Sequence, residues 1–171
     1  MKKIVQTGDG NTPTGIQSIH GDTVKNSVVH LLNMTLDLGY FNIEEYPQLE
    51  LLLKESGLYY EETESKNMIE RKINRDSESI IVLRDKGKII GCVFVVDSGN
   101  EFILSRLGVL GDYRKKGIGN RLIQAVKVLA KERGVKKITL FVGEGKTQLQ
   151  EYYENLGFKL GNTYRTGKMF L

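Results

Sequence analysis

The 171-residue chain is 40% hydrophobic and 27% charged, a balance that suits one globular domain with a sizeable core and leaves little room for a second. Its 25 Lys and Arg against 21 Asp and Glu give a formal charge of +4, spread along the chain, which fits a small anionic ligand and gives little ground for a nucleic-acid partner. The lone Cys92 excludes an internal disulfide or a cysteine metal site, no apolar run approaches a membrane span, and Met1-Lys2-Lys3 leads into no signal core, so a cytoplasmic protein without metal or membrane partner is expected.

The first twenty residues are turn-rich and carry no legible function, and residues 1–40 are set apart as an N-terminal segment of a single 1–171 domain. From Asp22 to Leu38 the apolar residues Val24, Val28, Leu31, Leu32 and Leu38 recur at helical spacing before Gly39. A second helix is expected from about Pro47, burying Leu49, Leu52 and Leu53 before Gly57, and a third over Lys66 to Asn74. Glu61, Glu62 and Glu64 read as a solvated approach to that third helix.

The period then shortens. Ser79 to Leu83, Ile89 to Val96 and Glu101 to Val109 read as three strands of an antiparallel meander, turning at Asp85-Lys86-Gly87-Lys88 and Ser98-Gly99-Asn100. In the third strand Phe102 and Leu104 share one parity and Leu107 and Val109 the other. Either that strand is buried on both faces, or a residue near Ser105-Arg106 is bulged out and frees main-chain amides.

Next comes a basic turn, Arg114-Lys115-Lys116-Gly117-Ile118-Gly119-Asn120, at the head of a helical stripe of Ile118, Leu122, Val126, Leu129 and Ala130 that ends at Gly134. Glycines that let amides converge, followed at once by a helix N-terminus, form an anion cradle. The pattern lacks the glycine and the Lys-Ser/Thr of a Walker loop and the third glycine of a dinucleotide fingerprint. Val135 to Val142 reads as a strand, Thr147-Gln148-Leu149-Gln150 as a capping box opening a helix that ends at Gly157, and Phe158 to Leu171 as a hairpin. The elements describe a mixed α/β (α+β) layer and not a doubly wound fold.

The run LGVLGDYRKKGIGNRLIQAVKVLAKERGVKKITLFV followed by YYENLGF resembles the GNAT acetyltransferase superfamily over about Ser79 to Phe158. The resemblance implies a mostly antiparallel central sheet flanked by helices, with acetyl-CoA as cosubstrate. It implies that Arg114, Lys115, Lys116, Gly117, Ile118, Gly119 and Asn120 hold the pyrophosphate, mainly through backbone amides. It further implies that a bulged strand offers the amides of Leu107, Gly108 and Val109 to the pantetheine arm and thioester carbonyl. The tips of Lys115 and Lys116 are either solvated or directed at the 3′-phosphate. Lys146 stands where the family often has an asparagine that contacts the cofactor, and a lysine there can still reach phosphate or pantetheine.

The implied reaction is attack of an acceptor amine on the acetyl carbonyl through a tetrahedral oxyanion, with Tyr153 matching the family position that protonates the CoA thiolate. Leu149, Tyr152, Tyr153 and Leu156 lie in one helical stripe, which allows Tyr153 to be the acid or a core residue and makes Tyr152 a packing residue. Glu101, Asp112 and Glu144 are carboxylates near the flanking strands without a motif behind them, and His20 and His30 fall outside the matched core. Tyr40, Phe41, Tyr59 and Tyr60 beside Glu61 and Glu62 form a candidate acceptor surface, or equally cover for the core.

The function implied is an N-acetyltransferase acting on a primary amine of a small molecule or peptide, with a homodimer compatible. Its rivals are a protein lysine or N-terminal acetyltransferase and a non-catalytic acyl-CoA-binding regulatory domain.

Overall fold

A first strand, a helical excursion, three strands joined by short turns and a fifth reached through a helix build the sheet of the computed structural model, which describes residues 36–143, 145–159 and 161. These residues belong to the compact unit Met34–Leu171. In chain order the elements are β1 (Leu36–Tyr40), α1 (Tyr46–Glu55), α2 (Glu61–Glu64), α3 (Lys66–Arg75), β2 (Ile80–Asp85), β3 (Lys88–Asp97) and β4 (Phe102–Val109). Then follow α4 (Ile118–Glu132), β5 (Ile138–Leu140) and α5 (Thr147–Asn155). The sheet order is β1-β2-β3-β4-β5, antiparallel except for the parallel pair β4–β5. The mixed, helix-flanked sheet expected from the sequence is therefore present.

Local chemistry accounts for most boundaries. Pro47 sits in the first turn of α1, where its missing N–H costs nothing, and Leu49, Leu52 and Leu53 are fully buried beneath it. Lys86 and Gly87 both take positive φ, the conformation a tight hairpin needs between β2 and β3. In β3 seven consecutive residues are buried, because α1 covers one face of the central strand and α4 the other. Cys92 is among them, and burial pushes its thiol up to about 12, so it behaves as a small core residue. Ile118, Leu122, Val126, Leu129 and Ala130 form the buried stripe of α4, as their spacing predicts.

Several boundaries differ from the sequence reading. Leu38 does not end a helix: Leu36–Tyr40 pairs with Asp85–Ile81 of β2, and cross-strand pairing overrides the local helical spacing. The earlier part of that expected helix, His20 and His30 lie outside the described residues. Glu64 is not solvated but buried, at 3% exposure. The strand expected over Val135 to Val142 shortens to three residues. No capping box forms at α5, because the chain enters the helix through a turn closed by the Lys146 N–H on the Gly143 carbonyl, which leaves Thr147 inside the helix. Of the final hairpin only Phe158, Lys159 and Gly161 are described.

Candidate functional site

β4 carries the register break that places the site. Its ladder with β3 steps from Phe94–Arg106 to Val95–Leu104, so Ser105 is the extra residue of a bulge. Residues opposite each other share a face of the sheet. The extra residue thereby puts Leu104, Leu107 and Val109 opposite Val95, Val93 and Gly91, which share the face covered by α4. Of the two explanations for the parity change, the bulge is the one realised.

The same alternation aims the backbone. The Leu110 N–H donates to the Ile90 carbonyl on β3, so the N–H groups of Val109 and Leu107 point to the opposite edge. On that edge the parallel ladder with β5 ends at Leu104–Leu140, and no strand partner for these two amides follows among the described residues. β4 and β5 thus part after three paired residues. Gly108 points its amide inward and its α-carbon toward α1, where a Cβ would lie 2.7 Å from Leu52 Cδ2. A glycine is needed there for packing and not for a positive φ.

A short 3₁₀ turn, Gly111–Tyr113, carries the chain to the basic loop. Arg114 folds back, its Nε donating to the Val109 carbonyl at 3.0 Å, while Lys116 Nζ stands 5.5 Å from the Tyr113 ring. Lys115 and Gly117 both take left-handed φ, 58° and 76°, and turn the chain into α4. Gly117 is the N-cap and supplies no side-chain acceptor. The first closing bond runs from Arg121 N–H to the Gly117 carbonyl, so the amides of Ile118, Gly119 and Asn120 have no intrahelical acceptor. They converge at the positive end of a 15-residue helix. Ile118 itself is buried under Gly91.

α5 brings the aromatic groups. Tyr153 is 8% exposed, edge-on to Tyr152 at 5.2 Å and to Phe158 at 5.7 Å, and its hydroxyl has no hydrogen-bond partner among the described residues. Burial first, then the neighbouring Tyr152, push its phenol up to about 12, so it stays protonated throughout the neutral range. Tyr152 is more than packing. Its hydroxyl donates to Asn120 Oδ1 at 3.1 Å and lies 2.5 Å from the position of a Gly119 Cβ. Gly119, at negative φ, is thus required for room. Lys146, the N-cap of α5, is exposed, and Leu149, expected in the buried stripe, is 42% exposed.

The amide set suits an extended anionic ligand: three unpaired donors at an uncapped helix start fit a diphosphate, and two outward amides on a strand edge fit an amide-bearing arm.

Other candidates disperse. Glu101 accepts from Thr139 Oγ1 at 2.6 Å and Lys137 Nζ at 2.9 Å, which hold its carboxyl below the usual range. Asp112 is exposed on the 3₁₀ turn and Glu144 lies outside the described residues. The four aromatics divide: Phe41 is core and Tyr40 interacts with Glu78, whereas Tyr59 donates to Glu61 Oε2 at 2.6 Å and the exposed Tyr60 ring lies 5.4 Å from the Arg106 guanidinium. The sequence reading missed the pair of Arg106 Nη2 with buried Glu64 Oε1 at 3.0 Å, since nothing distinguishes Glu64 within its acidic run. Among the described residues there is no metal-binding cluster and no helix long and apolar enough to cross a membrane.

The profile of the Acetyltransferase (GNAT) family matches residues 46–158. An acetyltransferase of Yersinia pestis (strain Pestoides F) is 28% identical over 136 residues, 80% of this chain and 96% of that protein. The PaiA N-acetyltransferase of Thermoplasma acidophilum, solved with coenzyme A, superposes with a TM-score of 0.71 at 22% identity, covering 77% of this chain and 94% of its own. The ribosomal-protein-S18-alanine N-acetyltransferase of Escherichia coli gives 0.64 at 18% identity, with 75% and 80% covered.

Proposed function

Because the chain belongs to the acetyltransferase (GNAT) family and is by that membership an acetyl-CoA-dependent N-acetyltransferase, we propose that it acetylates a primary amine on a small molecule or peptide. The observation that carries this reading is that the two outward amides of Leu107 and Val109 on an open strand edge lead through the basic loop to the uncapped start of α4, to which Tyr152, the neighbour of Tyr153, is hydrogen-bonded at Asn120.

Each group has a distinct task. The amides of Gly117, Ile118, Gly119 and Asn120 receive the diphosphate, with Arg114, Lys115 and Lys116 supplying charge around it and Lys146 standing at the start of α5. Leu107 and Val109 receive the pantetheine arm, with inward-facing Gly108 holding the strand close to α1. Acetyl-CoA supplies an activated acyl carbon. An N–C bond forms to that carbon as the C–S bond breaks, one proton leaves the amine and one reaches the sulfur. In this reading the outward Val109 N–H stabilises charge on the carbonyl oxygen. Tyr153 holds a phenolic proton to offer to the sulfur; with its own affinity raised it acts by a positioned hydrogen bond and not by being a strong acid. The single domain spanning 1–171, the cytoplasmic location and a homodimer are part of the same proposal.

Thermal denaturation with and without acetyl-CoA, beside thiol release against a panel of primary amines, tests it. A raised melting temperature with amine-dependent thiol release is expected; no shift at saturating acetyl-CoA refutes the reading.

A further inference from the structure

A hollow of about 850 Å³ lies between α3 and the bulged half of β3 and β4. Its acidic side chains are matched: Glu64 pairs with Arg106 at 3.0 Å, and Asp76 and Asp97 pair with Arg133 at 2.8 and 3.2 Å. Its remaining cations are not. Arg71, Lys72 and Arg75 line the same space, and none of them forms an ion pair among the described residues.

Three unmatched positive charges on successive turns of one short helix repel one another, and the cost is concentrated on the least exposed of them. Burial, foremost, lowers the proton affinity of Lys72, and Arg106 and Arg75 push it the same way, against Glu64 and Asp76. The wall they face is the bulged stretch of the sheet. Lys72 Nζ stands 5.9 Å from the Phe94 ring, Phe94 lies opposite Arg106, and the bulged Ser105 beside it lines the hollow. From Ser105, Leu107 and Val109 follow two and four residues along β4.

We propose that this hollow receives the acceptor and selects an amine that carries an anionic group, a carboxylate or a phosphate, on the same molecule. The inference rests on the acetyl-transfer reading above. Arg71, Lys72 and Arg75 hold the anion, and the amine is presented toward the bulge. The transfer balances as before: the nitrogen bonds the acetyl carbon as C–S breaks, one proton leaves nitrogen and one reaches sulfur. Polycationic amines meet like charge in the same space and are disfavoured.

The test uses the full chain with acetyl-CoA and four amines: β-alanine, O-phosphoethanolamine, ethanolamine and spermidine. At least one acidic amine is expected to exceed ethanolamine by about tenfold or more in kcat/KM, the usual scale for one discriminating charged contact. Which acidic amine is used separates carboxylate from phosphate. The double variant Arg71→Gln/Arg75→Gln, at two exposed positions, is expected to raise KM for that amine about fivefold with kcat little changed. Equal or better use of ethanolamine or spermidine, no use of either acidic amine, or an unchanged KM in the variant overturns the proposal. Melting with acetyl-CoA keeps the two levels apart. A retained shift without acidic preference removes only the acceptor inference, whereas a wild-type protein with no shift removes the transfer reading and this inference with it.

Discussion

Tyr152 donates its phenolic hydroxyl to Asn120 Oδ1 at 3.1 Å and so ties the fifth helix to the first turn of the fourth. The bond reaches Asn120, one residue past the Gly119 whose Cβ position lies 2.5 Å from the same hydroxyl. It joins the two elements whose relative position decides whether the amides of α4 and the phenol of Tyr153 serve one ligand.

Gly119→Ala tests that tie. The new Cβ would come 2.5 Å from Tyr152 Oη, so the ring must move, and KM for acetyl-CoA should rise several-fold. In Gly119→Ala/Tyr152→Ala the obstructing ring is gone, and the two changes should combine with a coupling of about 1 kcal/mol or more. Strictly additive effects in the cycle would refute the contact.

Tyr153→Phe keeps the ring and deletes the donor. Turnover should fall by about a hundredfold, the scale of a positioned proton donor, while the acetyl-CoA-induced melting shift stays as in the wild type. Full turnover in the variant would remove Tyr153 from the chemistry.

The same residue gives a pH prediction. Its phenol is raised to about 12 in the folded chain, above the unfolded value near 10. A raised pKa stabilises the fold fully below pH 10, and that contribution is lost as pH climbs toward 12. Urea unfolding at pH 9 and pH 11 should show wild type losing more stability over this interval than Tyr153→Phe.

Gly108→Ala should destabilise the fold by about 1–3 kcal/mol, the usual cost of forcing a methyl into a filled core. Leu52 Cδ2 at 2.7 Å, with Leu58 Cδ1 and Ser56 Oγ at 3.3 Å, surround the site of the added carbon. Chemical denaturation reads the change directly, and no loss would show that α1 yields at that point.

Glu64→Gln removes the charge opposite Arg106 but leaves a side chain able to meet the Tyr60 N–H and the Thr63 hydroxyl. The expected loss is about 2 kcal/mol, below the range for fully buried pairs because Arg106 keeps 22% of its side chain exposed. A variant as stable as wild type would show the pair to be dispensable.

What was legible in the sequence followed from local chemistry. The α4 stripe, the hairpin at Lys86-Gly87 and the bulge near Ser105 all leave a signature within a few residues, as spacing, turn type or parity. What escaped depends on distant partners. Leu38 is in a strand because β2 lies beside it, Glu64 is buried because Arg106 reaches it, and Tyr152 is committed because Asn120 stands 32 positions away. The motif names the loop, but only the register of β4 shows which amides that loop continues into.

The three-pair ladder between β4 and β5 also bears on how the molecule breathes. β2, β3 and β4 are contiguous hairpins with long ladders, whereas β5 is held to the sheet by Phe102–Ile138, Ile103–Thr139 and Leu104–Leu140. Protection against amide hydrogen exchange should therefore be graded, with β3 opening only on global unfolding and β5 by a cheaper, separate fluctuation. A ligand gripping both lips of the parting would close that gap in protection. Slower exchange at Thr139 and Leu140 would then report occupancy of the parting from its β5 lip.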